Sequence, residues 1–167
     1  MIESFFEYCA NGFKIVPGVV PKDIPLMDLF KPEYLPTHYS WMSDGVTYTR
    51  KIDGVDTCFI VLAPNRKYLI VMQDANKYGP DNLLILRPDG TEDRRLKNPY
   101  LSSPEFKSGD TYEFLGVRSW GEKVLVKIAV TRERPGKSHN AEPTYVAFYD
   151  CDTWEASPLE FIDSRNL

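Results

Sequence analysis

The placement of proline fixes where this chain can build a sheet. Five of its thirteen prolines, Pro17, Pro21, Pro25, Pro32 and Pro36, fall within one twenty-residue stretch, and none occurs between Glu105 and Arg134. Proline lacks the N–H that a helix interior or a central strand donates. Residues 17–36 are therefore expected to form an irregular wrap with at most one helical turn, around Leu26–Phe30. Val19, Val20, Ile24, Leu26, Met27, Leu29 and Phe30 make the wrap too apolar for a solvated linker, so it is expected to pack over the core. The proline-free stretch can supply strands that lie inside a sheet.

Before the wrap, Ile2, Phe5, Phe6 and Cys9 follow the i, i+3, i+4, i+7 spacing of a helix face. Asn11-Gly12 follows as a stop, so the spacing predicts a short N-terminal helix over 2–10. From residue 46 onward the texture is that of strands. Val46–Ile52 alternates, and Asp53-Gly54 is a turn pair. The runs 58–62 and 68–72 are continuously apolar, which predicts strands buried on both faces. Thr111–Arg118 and Lys123–Thr131 form a hairpin around Ser119-Trp120-Gly121-Glu122, with Val124, Val126, Ile128 and Val130 on one face. Thr144–Tyr149 and a short segment near Leu159–Ile162 complete the set.

Two stretches echo each other. Lys67–Val71, a polar loop, Leu83–Arg87 and a turn ending in Thr91 match Lys123–Lys127, a polar loop, Tyr145–Tyr149 and a turn ending in Thr153. This strand–loop–strand–turn pattern resembles the blades of β-propellers of the WD-repeat kind, over about half of the chain. The signature dipeptides are absent, and 167 residues hold fewer than four blades of ~40–45 residues. A pair of antiparallel meanders is the expectation. The fold class is mainly β: an antiparallel meander in a single sandwich or partial barrel, with a short N-terminal helix. One domain is expected, with helix and proline-rich wrap over 1–44 and antiparallel strands over 45–167.

Charge narrows the function classes. The net charge is −4 with a pI near 5.2, which disfavours nucleic acid, whose phosphates call for Lys and Arg. The longest apolar run, Cys58–Ala63, is far short of the roughly 20 residues of a membrane span. Met1-Ile2-Glu3-Ser4 has no basic region of the signal-peptide kind. Cys9, Cys58 and Cys151 are widely spaced and odd in number, which predicts free thiols in a reducing cytoplasm.

No catalytic or metal-binding set is apparent, and no cofactor is expected. His38 and His139 lie in predicted loops, and Cys58 lies in a buried-looking strand, where a thiol behaves as a small hydrophobe. Asp74–Asn82 has oxygen side chains and a glycine at calcium-loop positions, but Ile85 stands where a bidentate Glu is needed. It reads instead as an Asx-rich loop that satisfies its own backbone.

Two surface features remain. Asp150, Asp152, Glu155, Glu160 and Asp163 follow one another with no Lys or Arg between them, and Trp154 lies among them. Asp150, Asp152, Trp154 and Glu155 are the candidate partner-binding set: carboxylates that steer a basic partner and an aromatic anchor. Arg132, Arg134 and Lys137 are the candidate anion-binding set, with a second basic group at Arg94, Arg95 and Lys97. The expectation is a non-enzymatic protein-binding domain of the bacterial cytoplasm. It would bind a protein partner such as a basic toxin, as immunity proteins do by occlusion. The alternatives are a carbohydrate- or small-ligand-binding β domain with hydrolase chemistry, and a structural assembly subunit.

Overall fold

Strand-forming stretches fill the chain from its second residue, and they assemble into three sheets of four antiparallel strands each. The computed structural model describes residues 1–162, with 45% of the chain in strands. The first sheet has the order β2 (Lys14–Ile15), β1 (Ile2–Cys9), β3 (Pro36–Ser43), β4 (Val46–Lys51). The second runs β5 (Phe59–Leu62), β6 (Leu69–Met72), β7 (Leu83–Leu86), β8 (Glu92–Leu96). The third runs β12 (Glu160–Ile162), β11 (Thr144–Asp150), β10 (Lys123–Thr131), β9 (Thr111–Trp120). The mainly β, antiparallel class is as read from the sequence. The second and third sheets are the expected pair of antiparallel meanders, the first sheet is an addition to them in which β1 lies between β2 and β3, and the three sheets form no closed barrel.

The second sheet is the middle layer. Every residue of β6 and β7 is buried, and strand alternation divides them between two cores. Ile70, Met72, Leu83 and Ile85 pack with Val124, Val126, Ile128 and Phe114 of the third sheet. Leu69, Val71, Leu84 and Leu86 pack with Ile2, Phe5, Tyr39 and Trp41 of the first. This is why the runs 58–62 and 68–72 carry no polar alternation: each strand has a hydrophobic layer on both sides.

The N-terminal segment is a strand, not a helix. The register of β1 against β3 shifts between Ile2 and Ser4 and again between Tyr8 and Cys9. Such irregularities change which parity of residue faces inward. Ile2, Phe5 and Cys9 are buried as a result, and a twice-shifted strand reproduces the spacing of a helix face. β3 also lies within the first 44 residues, so strands begin well before the expected boundary at residue 45.

The wrap contains two helical turns rather than at most one, 3-10 turns at Leu26–Phe30, as expected, and at Pro32–Tyr34, neither with a buried residue. It does not cover the core as expected. Ile24 alone is buried, while Val16, Val19, Val20, Leu26, Met27 and Phe30 are 48–77% exposed. Proline spacing prevents the segment from pairing with a sheet edge, so its apolar side chains project outward.

Candidate functional site

Three sheets that stack in sequence bring their turns together at one end, and polar contacts fix that end. Arg66, in the turn between β5 and β6, adopts a left-handed backbone (φ 56). Its Nε and Nη2 donate to the carbonyls of Ile2 and Glu3 at 2.8 and 2.7 Å, tying the start of the first sheet to the second. Asn65 Nδ2 donates to the Cys151 carbonyl at 3.1 Å, and Lys67 Nζ pairs with Asp152 at 3.0 Å, tying the second sheet to the turn after β11. Ser119 Oγ of β9 donates to the Leu62 carbonyl of β5 at 2.7 Å. A groove of about 790 Å³ opens between these ties. Its walls are Glu3–Phe6 of β1, Ile60–Leu62 of β5, Arg118 and Ser119 of β9, and Val16–Gly18 at the start of the wrap, with Arg66 at its edge.

The side chain that stands out beside the groove is Trp120. It is 54% exposed, and the Arg118 guanidinium stacks on its ring at 4.5 Å. Trp41 and Trp154 are both buried. Tryptophan and arginine are among the residue types enriched at energetically dominant interface positions.

No family model and no curated protein matches this chain. One solved structure does. A chain of "Structure of Tne2 in complex with Tni2" superposes with a TM-score of 0.62 at 11% identity. The match covers 98% of this chain and 100% of that one. The likeness therefore spans the whole three-sheet arrangement, and it is a likeness of fold.

The acidic turn lies beside the groove. Asp150 Oδ1 accepts from the backbone N–H groups of Asp152 and Thr153, both at 2.9 Å, and these bonds hold its carboxyl below the usual carboxylate range. Asp152 bears the ion pair to Lys67, and Glu155 is exposed. Trp154 lies under this turn rather than on it. Its backbone is left-handed (φ 58), its ring meets Tyr68 edge-on at 5.4 Å, and it belongs to the core between the second and third sheets. The exposed aromatic of this end is thus Trp120, not Trp154. Trp120 lies within the expected hairpin turn Ser119-Trp120-Gly121-Glu122 and is the last residue of β9, where few neighbours can cover it, and that was the available signal. Asp163 lies outside the described residues.

The basic sets are largely engaged within the chain. Arg132 forms two hydrogen bonds with the Asp110 carboxylate, both 2.9 Å, and Arg134 and Lys137 are exposed in the following loop. Arg94 pairs with Asp93, Lys97 pairs with Asp81, and Arg95 stacks on Tyr78. In the Asx-rich loop, Asp74 caps the one-turn helix α1 (Ala75–Tyr78), and Asp81 accepts from the Asn98 N–H at 2.8 Å. Cys58 is half-buried, its Sγ donates to the Gly54 carbonyl, and burial followed by the Asp74 charge pushes its thiol upward. A raised thiol holds less thiolate at neutral pH, the opposite of an activated nucleophile. His38 stacks on Tyr8 at 4.9 Å on the first sheet. Among the described residues, no three His, Cys, Asp or Glu side chains are grouped to hold a metal ion, and no helix is long and apolar enough to cross a membrane.

Proposed function

We propose that this chain is a non-enzymatic protein-binding domain that occludes its partner, in the manner of a toxin-neutralising immunity protein of the bacterial cytoplasm. The observation that carries this reading is the surface at the hairpin end. An apolar groove bordered by the start of the wrap at Val16–Gly18, and an exposed Trp120 with the Arg118 guanidinium over its ring, lie at the end of the molecule where Asn65 and Lys67 tie to the acidic turn. Apolar exposure on that scale is characteristic of interaction surfaces. The whole-length fold likeness to a chain from a two-protein complex supports the same reading.

In this arrangement Trp120 supplies the buried area, and Asp150, Asp152 and Glu155 steer basic residues of the partner, with Trp154 bracing the turn from beneath. Rim carboxylates act mainly on association rate and specificity, while a central aromatic acts on affinity. The test is co-purification with the protein encoded by the adjacent reading frame, followed by calorimetry of the complex. A one-to-one complex is expected, weakened about thirtyfold or more by Trp120→Ala and weakened less by Asp152→Lys, whose effect grows as salt is lowered. Failure to form a complex, or a complex indifferent to both substitutions, overturns the proposal.

A further inference from the structure

A second concavity, of about 290 Å³, shares no lining residue with the groove at the hairpin end. Strand register explains what lines it. Arg95 and Glu92 of β8 sit opposite Leu84 and Leu86 of β7, so all four share one face of the second sheet. That face is turned to the first sheet, since Leu84 and Leu86 belong to the core between the two. Arg50 of β4 sits opposite Tyr39, a member of the same core, and so faces the same layer from the first sheet. Asp56, Gln73 and Tyr78 complete the polar lining. β4 and β8 are the outer strands of their sheets, so the concavity opens between two sheet edges.

One atom in this lining calls for a donor. Gln73 is 3% exposed, and its Nε2 donates to the Asp56 carbonyl at 2.9 Å. Its Oε1 is buried with no hydrogen-bond partner among the described residues. A buried acceptor left unpaired opposes folding, so it marks a place where an N–H or O–H group belongs. The two arginines offer the complement. Arg50 donates through Nε to Thr57 Oγ1 at 2.6 Å and through Nη2 to the Asp56 carbonyl at 3.4 Å. Arg95 donates through Nη1 to the Asp81 carbonyl at 3.1 Å and stacks on Tyr78 at 4.7 Å. These contacts hold both guanidiniums in place. Among the described residues neither forms an ion pair, and Arg50 Nη1 and Arg95 Nη2 make no hydrogen bond.

Charge selects the class of ligand. The guanidiniums of Arg50 and Arg95 and the carboxylates of Asp56 and Glu92 line the same concavity. Asp56 Oδ1 already accepts from Lys77 and Tyr78, while Glu92 is exposed and forms no ion pair among the described residues. A simple anion meets the carboxylates, and a simple cation meets the guanidiniums. A zwitterion meets both signs favourably. We propose that this concavity binds a free amino acid. Its carboxylate pairs with Arg50 and Arg95, its ammonium donates to Gln73 Oε1, and its side chain rests on Leu84 and Leu86. The volume falls just under the range of drug-sized ligand sites, which suits a molecule this small. A planar guanidinium takes a carboxylate through parallel hydrogen bonds, so the arginines provide most of the selectivity.

The test titrates L-leucine into the nitrogen-15-labelled whole chain, followed by NMR. Leucinamide, which lacks the carboxylate, isocaproate, which lacks the ammonium, and inorganic phosphate are titrated in parallel. Leucine is expected to shift the Gln73 side-chain amide and the backbone amides of residues 84–86 and 92–95 saturably, with a Kd of about 1 mM or tighter. Leucinamide and isocaproate should each bind about tenfold more weakly, the loss of one charged hydrogen bond, and phosphate should leave Gln73 unmoved. Arg95→Gln should narrow the gap between leucine and leucinamide. The comparison of analogues on the parent chain stands even where a variant fails to fold. No saturable shift at Gln73, equal binding of leucine and either analogue, a response to phosphate as strong as that to leucine, or a gap unchanged by Arg95→Gln overturns the proposal. The protein-binding reading does not depend on this site, and failure here leaves it standing.

Discussion

Removing either partner of the Asp110–Arg132 pair is expected to destabilise the fold by about 3 kcal/mol, the low end of the range for breaking a buried ion pair, because Arg132 keeps part of its solvent contact. The Asp110 side chain is 2% exposed and that of Arg132 22%. The carboxylate also accepts from Tyr100 OH at 2.7 Å and from the Lys107 N–H at 3.0 Å, and Arg132 Nη2 donates to the Glu105 carbonyl at 3.1 Å. Asp110→Asn or Arg132→Met leaves the remaining group buried without its counter-charge. Replacing both with apolar residues of similar volume removes the stranded charge as well, so the double variant should lose less than the sum of the single losses. Urea denaturation of the four proteins measures this directly.

The same pair sets an acid limb. The Arg132 guanidinium holds the Asp110 carboxyl well below the usual carboxylate range. A carboxyl with a depressed folded-state pKa contributes stability that is fully present above its unfolded pKa, ~3.9, and is lost as pH falls from there toward the folded value. Stability should therefore decline below about pH 4 in the parent, and that decline should be shallower in Asp110→Asn. An equally steep decline in the variant would assign the acid limb to other carboxylates.

Asn82→Ala is the second large loss expected, about 3 kcal/mol, from stranding several backbone groups at once. Asn82 is 1% exposed. Its Oδ1 accepts from the Phe114 N–H, and its Nδ2 donates to the carbonyls of Phe114 and Gln73, all at 3.0 Å. The amide thus serves Phe114 as a neighbouring strand would, on the free edge of β9. It does so beside a register shift that falls between Lys127 and Ile128 of the pairing strand. Asn82→Asp should cost at least as much, because a carboxylate cannot donate to either carbonyl. The measurement is the denaturation midpoint at unchanged slope, which separates lost stability from a change in the unfolded state.

The strands of the second and third sheets were legible because burial on one or two faces writes directly into the residue pattern. β10 coincides with the stretch read from sequence, Lys123–Thr131, and β7 (Leu83–Leu86) falls within the stretch Leu83–Arg87. β8 was missed because Glu92-Asp93-Arg94-Arg95-Leu96 is an edge strand whose charged side chains face outward. β1 was misread because two register shifts imitate a helix. Pairing across sheets was not legible at all. Nothing local in Trp154 shows that its turn folds back beneath Tyr68, whereas Asp110 and Arg132 lie one step beyond the Thr111–Thr131 pair of a single hairpin. The groove was not legible either, because its walls come from four separated segments.

On the proposed function, a partner binds at the hairpin end. Amide hydrogen exchange of the whole chain, alone and with the protein encoded beside it, tests this most directly. Slowed exchange is predicted at residues 3–6, 16–20, 60–62 and 118–122 and in the turn at 150–155. A complex that leaves these segments unchanged and protects the opposite end instead, at residues 74–82 and 98–110, would contradict it.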